Sequence, residues 1–257
     1  MDLFFNQKIA KSYKNQTQKI RVLSESWVDN SMFCPNCGNL SIDKYPNNQP
    51  VADFYCSNCK EEYELKSKRE KIGKKIVDGA YFTMVKRLRS QNNPNFFLLN
   101  YCLPSFKVKN FFVVPKHFFV PEIIEKRNPL AMTARRAGWV GCNILLQNIP
   151  KNGKIFFVEE GQIKPKKKVL AEWQRTLFLR EDKKLSAKGW LLDIMRCIDR
   201  LSKKEFSLNE VYSFESYLSK LHPENKHIKD KIRQQLQILR DRDYLKFMSR
   251  GYYKVTQ

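Results

Sequence analysis

The stretch "VADFYCSNCKEEYELKSK", residues 51–68, places a C-x-x-C pair between one acid and an acid-plus-lysine pattern. The acid is Asp53, and the pattern that follows the cysteines is Glu64-x-Lys66. The runs "VADFY" and "EYELKS" are rich in aromatic and apolar residues and flank a turn, which predicts two strands of a hairpin. The cysteine pair is then the tip that joins the strands.

The register of this hairpin decides which side chains meet. With the cysteines at the tip, Asp53 is expected to pair with Glu62, and strand alternation puts Glu64 and Lys66 on the same face. Two carboxylates can hold Mg²⁺ beside a phosphate, and a lysine can orient an attacking water and offset charge. The alternative is a solvated strand face with ordinary ion pairs, because 29% of the chain is charged.

A second cysteine pair lies upstream of the first. Eighteen residues separate Cys34-x-x-Cys37 from Cys56-x-x-Cys59, and two such pairs complete a tetrahedral four-thiolate site of the kind that binds Zn²⁺. Such a closed site predicts a structural metal, and the alternative is four buried free thiols. The three other cysteines lack this spacing and are expected in the core: Cys102, Cys142 and Cys197.

The charge of the chain limits its partners. Its 257 residues carry 48 Lys and Arg against 26 Asp and Glu, a formal charge of +22. This imbalance predicts a polyanionic partner. Nucleic acid is favoured over a membrane surface because the basic residues are spread over the whole chain and neither a lipidation motif nor a basic amphipathic helix with a large apolar face is found. The opening "MDLFFNQKIAK" has no long apolar run and does not resemble a signal peptide, so we expect a cytoplasmic protein. We also expect a monomer without a membrane partner.

The chain divides into two predicted domains. Residues 1–180 are expected to be a mixed α/β domain and residues 181–257 a winged helix, with net charges of +16 and +6. In the first domain the predicted helices are "KNQTQKIRVLSESWVDNSM", "DGAYFTMVKRLRSQNN" and "LAEWQRTLFLR", the further strands are "NFFLLNY", "NFFVVP" and "KIFFVEE", and "GQIKPKKKV" is a loop.

Three amphipathic helices followed by a hairpin define the second domain. The segment "SLNEVYSFESYLSKL" opens with the capping box Ser207 and Glu210, and Gly251 marks the turn of the hairpin "YLKFMSRGYYKVT". Apolar residues at helical spacing predict the buried faces, which are Leu191, Ile194, Ile198 and Leu201; Val211, Phe214, Leu218 and Leu221; and Ile228, Ile232, Leu236 and Leu239.

The segment "PVADFYC…EEYELKSK" resembles the catalytic strands of the PD-(D/E)xK nuclease superfamily. Over nearly its whole length the chain resembles methyl-directed type II restriction endonucleases, most closely in "FCPNCGN", "NNPNFFLLNY", "TARRAGWVGCNI", "KLSAKGW" and "HIKDKIRQQLQILRD". The resemblance implies a PD-(D/E)xK core with an embedded zinc site, followed by a winged helix-turn-helix domain. It implies a substrate too, namely double-stranded DNA methylated at adenine in GATC and cut on both strands to blunt ends.

The resemblance also assigns residues. Asp53 and Glu64 match the magnesium-binding acids, Lys66 matches the catalytic lysine, and the two cysteine pairs match the zinc ligands. Trp139, in "RRAGWVGC", matches a tryptophan near the methyl groups.

The N6-methyl group of adenine lies in the major groove, so an apolar surface such as the Trp139 indole is suited to it. Arg135 and Arg136 beside the indole can contact phosphate or guanine, unless Trp139 is a core residue and the arginines are surface charges. On the third helix of the winged domain the predicted DNA contacts are Lys226, Lys229, Arg233, Gln234 and Gln237.

Two other functional classes fit parts of the pattern. A zinc-containing winged-helix transcription regulator would leave the acids and lysine of the hairpin inert. A nuclease for DNA junctions or RNA would share the catalytic site but would have no use for a domain that contacts duplex grooves. Asp53 and Glu64 on one face favour the enzyme over the regulator.

Overall fold

A computed structural model describes residues 1–46, 52–90, 93–181 and 184–256. The chain forms two compact units, which we call unit 1 (Met1–Gln147 with Asn152–Leu177) and unit 2 (Asn148–Lys151 with Phe178–Gln257). Pro50 and Val51, the start of the apolar run before Asp53, lie outside the described residues. Within the described ranges, no helix has the length and apolar character needed to cross a membrane.

Unit 1 is built on a seven-stranded mixed sheet. In spatial order its strands are β1 (Asp43–Lys44), β2 (Phe54–Tyr55), β3 (Glu62–Arg69), β5 (Asn95–Cys102), β6 (Lys107–Val114), β9 (Ile155–Glu159) and β10 (Gln162–Ile163). A second sheet has the order β4 (Ile76–Ala80), β8 (Gly141–Ile144) and β7 (Ile124–Lys126). The helices are α1 (Gln16–Ser31), α2 (Tyr81–Arg89) and α3 (Lys166–Gln174).

The large sheet positions β3 by pairing it on both sides. β3 runs antiparallel to β2 and parallel to β5, whose residues are buried along almost its whole length. Tyr63 of β3 stacks on Phe97 of β5 with ring centroids 4.4 Å apart, and Trp27 of α1 meets Phe111 of β6 edge-on. These aromatic contacts fix one face of β3 in the core and leave the residues at alternate positions for the other face.

The predicted helices and strands of unit 1 are confirmed, with three differences. The predicted helix "LAEWQRTLFLR" is broken, because α3 ends at Gln174 and Leu177–Arg180 form a separate 3₁₀ helix. The segment "DGA" was expected at the start of a helix, but Asp78 pairs with Cys142 in β4, and α2 begins only at Tyr81. The predicted loop "GQIKPKKKV" contains β10 and the first turn of α3. Here Pro165 ends the extended backbone and its fixed φ suits the entry to a helix.

Unit 2 has the element order of a winged helix, as predicted. Its helices are α4 (Leu185–Leu201), α5 (Leu208–Tyr212), α6 (Glu215–Leu221) and α7 (Ile228–Asp241), and its sheet has the order β11 (Glu205–Ser207), β13 (Tyr252–Val255) and β12 (Leu245–Ser249). The Ser207–Glu210 capping box is present. The predicted second helix consists of two short helices, and Leu221, expected in the core, is 43% exposed at the end of α6.

Candidate active site, zinc site and DNA-contacting surfaces

The hairpin differs from its predicted register by two residues. Tyr55 pairs with Glu62 and Phe54 with Tyr63, so the expected pairing of Asp53 with Glu62 is wrong. The turn is longer than assumed, because Lys60 has a positive φ and still belongs to the cysteine knuckle. A shift of two residues preserves side-chain parity, so Asp53, one residue before Phe54, now comes opposite Glu64 on the same face.

Asp53 is held by hydrogen bonds immediately before β2. The Leu65 amide donates a hydrogen bond to Asp53 Oδ2 at 2.7 Å, and the backbone of Asp53 pairs with Tyr63 and Tyr45. Burial raises the pKa of the Asp53 carboxyl, and the nearby Glu25 carboxylate raises it further. Both effects disfavour an isolated negative charge at this position, which a bound cation would stabilise.

Glu64 and Lys66 lie side by side on β3. Lys66 Nζ is 2.5 Å from Glu64 Oε1 and 2.6 Å from Asp78 Oδ1. Burial lowers the pKa of Lys66, but Glu64 and Asp78 raise it by more, so the ammonium form is retained. Burial raises the pKa of Glu64. The Lys66 ammonium lowers this pKa and the Asp78 carboxylate raises it, and the net shift is upward.

Asp78 is the member of this cluster that the sequence did not indicate. It comes from β4 of the second sheet, and its side chain is only 7% exposed. Nothing in the spacing of Asp78 from Glu64 and Lys66 resembles a motif, and the Asp-Gly pair suggested a helix start instead. Only the packing of the second sheet against the hairpin brings this carboxylate to the lysine.

The donor set fits a hard divalent cation. Asp53 and Glu64 are its two carboxylate donors, since Asp78 is in contact with Lys66, and the site is largely buried. Among the described residues, the carboxylates do not form a group of three or more converging metal ligands as the four cysteines do. Mg²⁺ is commonly held by one or two carboxylates, with water and phosphate oxygens as its other ligands.

The four predicted cysteines form one cluster. Their sulfur atoms all lie within 4.8 Å of one another, with Cys34 and Cys59 Sγ at 3.5 Å and Cys37 and Cys56 Sγ at 3.6 Å. Zinc–sulfur bonds of about 2.3 Å in a tetrahedron require sulfur atoms roughly 3.8 Å apart. The cluster therefore fits a structural Zn²⁺, with all four positions filled by protein ligands.

The two cysteine knuckles share the same backbone bonding. The Gly38 amide donates to the Cys34 carbonyl, and the Lys60 amide donates to the Cys56 carbonyl, both at 2.9 Å. Gly38 and Lys60 both have a positive φ, which a glycine adopts at low cost. This equivalence explains why Lys60 belongs to the metal-binding turn and not to the strand ladder.

A tyrosine joins the cysteine cluster to the strand of the acids. The Tyr63 hydroxyl lies 3.2 Å from Cys34 Sγ, and the side chain is completely buried. Tyr63 immediately precedes Glu64 in β3, while Cys56 follows Asp53 by three residues. The cluster thus fixes both strands that carry the catalytic candidates.

Trp139 lies in a loop, and we call residues 130–139 the Trp139 loop. The loop is closed by backbone bonds between Leu130 and Trp139 and between Gly138 and Leu130. Trp139 is half-buried and lies outside the strands, while the Arg136 guanidinium stacks 4.4 Å from the centre of its ring. A Cβ at Gly141 would come within 2.8 Å of the indole, so this glycine provides the space in which the ring sits.

The arginines of the Trp139 loop are accessible. Arg135 and Arg136 are exposed, and Met132 in the same loop is 87% exposed. The loop leads directly into Gly141 at the start of β8. An apolar ring with two exposed guanidinium groups is thereby presented from a short, backbone-bonded loop.

The five predicted contacts of the third helix are exposed, although Lys226 precedes α7 and is not part of the helix. Arg233 Nε donates to the Tyr212 hydroxyl, and Lys229 lies 3.4 Å from Glu215. Lys231 donates to Gln234. The opposite face of α7 packs Ile228, Ile232, Leu236 and Leu239 into the core of unit 2, as predicted.

The fold and these sites describe a mixed α/β protein that combines a cluster of acids around one lysine, a four-cysteine cluster and a C-terminal winged helix. The chain belongs to the DpnI, or Dam-replacing, family, whose model matches residues 1–182. The model of the Dam-replacing HTH domain matches residues 186–255. Membership supports a methyl-directed restriction enzyme with a helix-turn-helix domain for DNA.

Proposed function

We propose that this chain is a type II restriction endonuclease that cleaves double-stranded DNA at GATC carrying N6-methyladenine. It hydrolyses one phosphodiester bond in each strand, leaves blunt ends and depends on Mg²⁺. Residues 1–180 are assigned as the catalytic domain and residues 181–257 as the DNA-binding winged helix. The observation that carries the proposal is the contact of Lys66 with Glu64 on the strand that also anchors Asp53.

Each residue of the site has a distinct task in this reaction. Asp53 and Glu64 are the groups that would hold Mg²⁺, which supplies a Lewis acid and lowers the pKa of bound water. The Leu65 amide keeps the Asp53 carboxylate directed into the site. Lys66 orients the attacking water and offsets the negative charge that develops on the phosphate.

The burial of the acids argues against a regulator that only binds DNA. Burying carboxylates is costly, and even a paired buried charge seldom adds to stability. Unit 1 nevertheless keeps three acidic side chains around one lysine, with Glu64 20% and Asp78 7% exposed. A regulator would leave this costly arrangement without a task, whereas a nuclease uses Glu64 and Lys66 directly.

The DNA contacts are assigned to two surfaces. We propose that Trp139 meets the methyl groups in the major groove while Arg135 and Arg136 contact phosphate or guanine. On unit 2, Arg233 is pre-positioned by Tyr212 for a guanine edge, and Gln234 and Gln237 are suited to adenine. Lys226 and Lys229 add phosphate contacts.

The experiment that tests the function is digestion of one plasmid in two methylation states. Plasmid carrying N6-methyladenine in GATC should be cut to blunt ends when Mg²⁺ is present, and both the unmethylated plasmid and a chelator control should stay intact. Cleavage independent of methylation would contradict the substrate assignment. Binding without cleavage at any Mg²⁺ concentration would instead support the regulator.

Trp139→Ala is expected to lower the discrimination between methylated and unmethylated sites. A good base-edge contact contributes about 1–3 kcal/mol of discrimination, or roughly 5- to 150-fold. The measurement is the ratio of cleavage rates on the two duplexes at fixed salt. Met132→Ala is the matched control, because Met132 is a highly exposed apolar residue of the same loop. If the ratio of the two cleavage rates is unchanged in Trp139→Ala, Trp139 does not take part in recognition of the methyl group.

A further inference from the structure

Lys66 has a second buried partner whose role the reaction above leaves open. Asp78 Oδ1 lies 2.6 Å from Lys66 Nζ, nearly as close as Glu64 Oε1 at 2.5 Å. The Asp78 side chain is 7% exposed, which makes it more buried than either Glu64 or Lys66. A buried carboxylate in direct contact with a candidate catalytic lysine is suited to control the position of that lysine.

Strand pairing holds the Asp78 carboxylate in place. Asp78 lies opposite Cys142 in the ladder of β4 and β8, and the register shifts between Asp78 and Ala80. The bulge places Gly79 between them, and Cys142 Sγ lies 3.5 Å from the Gly79 carbonyl and 4.0 Å from Asp78 Oδ2. Bulges change the direction of side chains next to functional sites, and this one lies next to Asp78.

A lysine needs such a fixed partner more than most residues. Its ammonium ends a flexible four-carbon side chain, so ordering it costs conformational entropy. Glu64 is assigned to the magnesium ion and cannot be committed to the lysine alone. Asp78 comes from a different sheet, and the Phe96 ring, 6.0 Å from Lys66 Nζ, borders the lysine as well. The ammonium can then keep its place while Glu64 serves another ligand.

We propose that Asp78 is a positioning residue that holds the Lys66 ammonium in its catalytic position. The inference rests on the proposed nuclease function. β8 begins at Gly141, two residues after Trp139, and Gly141 pairs with Ala80 of β4. The strand pair that carries Asp78 therefore also anchors the loop assigned to the methyl group.

The first test is Asp78→Asn in the full-length protein, with cleavage and DNA binding measured separately. A lysine displaced by about 1 Å is expected to lower kcat by about 10²-fold, with KM and binding under chelator near their wild-type values. Asp78→Glu, which restores the charge, should recover part of the rate. Glu125→Gln is the matched control, because Glu125 forms an exposed ion pair with Lys75 on the same small sheet. Melting curves show whether each variant is folded.

The second readout does not require activity. Acylation of Lys66 by an amine-reactive reagent in metal-free buffer, read by mass spectrometry, should be several-fold faster in Asp78→Asn. The reagent reacts with the neutral amine, and the loss of one of the two carboxylates that contact Lys66 favours the ammonium form less and leaves its side chain less restrained. The Mg²⁺ concentration for half-maximal cleavage should stay near wild type. Full kcat or an unchanged acylation rate in a folded Asp78→Asn protein would overturn the inference. Wild-type protein that never cleaves DNA would contradict the nuclease function instead, while the acylation result would still report the contact.

Discussion

Lys66→Ala is expected to lower the rate of cleavage of methylated duplex DNA by about 10³-fold, since it removes the only cation in contact with Glu64 and Asp78 in the described structure. DNA binding should survive, because the proposed groove contacts lie on the Trp139 loop and α7. The measurement is single-turnover cleavage with a gel shift on the same duplex under chelator.

The matched control for this variant is Lys68→Ala. Lys68 lies two residues further along β3 and is exposed, so it has the same charge and the same strand parity without the buried acids. If a folded Lys66→Ala protein cleaves at the rate of Lys68→Ala, Lys66 has no role in catalysis. Melting temperatures belong in this comparison, because the loss of Lys66 leaves two buried carboxylates without their shared cation.

Cys56→Ser is expected to have the largest effect on stability. Metal binding contributes about 10–16 kcal/mol in small zinc modules, and a third of that would lower the melting temperature of a domain this size by about 7–20 °C. Cys56 is completely buried and lies three residues from Asp53, so cleavage should fall together with zinc content. The measurements are elemental analysis, thermal melting and cleavage.

Cys102→Ser is the control for the loss of a thiol as such. Cys102 lies at the end of β5, outside the cysteine cluster. The Cys102→Ser variant should therefore keep a zinc content of one ion per chain. A Cys56→Ser protein with the zinc content and melting temperature of Cys102→Ser would contradict the structural role of the metal. A chelator should reproduce the effect of Cys56→Ser in the wild-type protein.

The local patterns of the sequence predicted much of the structure. Apolar residues at helical spacing indicated α1, α4 and α7, and aromatic runs indicated β5, β6 and β9, because burial of one face selects these periods. The spacing of the two C-x-x-C pairs predicted their cluster for a related reason. Each pair forms one local turn, and a tetrahedral site needs two of them.

The errors in the predictions arose where the local backbone conformation departs from what the residue types indicate. The predicted register of the hairpin was wrong by two residues, because Lys60 adopts the positive φ that Gly38 has in the other knuckle. A lysine in the sequence does not indicate a positive φ. The split of the second winged-domain helix into α5 and α6 also lacks a Gly or Pro signal.

The sequence by itself determined the cysteine cluster, the strand that carries Glu64 and Lys66, and the winged helix, because each depends on residues close together in the chain or on a regular period. Only the tertiary structure decided that Asp78 meets Lys66 and that Tyr63 meets Cys34. The first contact joins residues from two different sheets, and the second depends on which face of β3 enters the core. Such contacts follow from packing in three dimensions, for which a linear sequence carries no periodic signal.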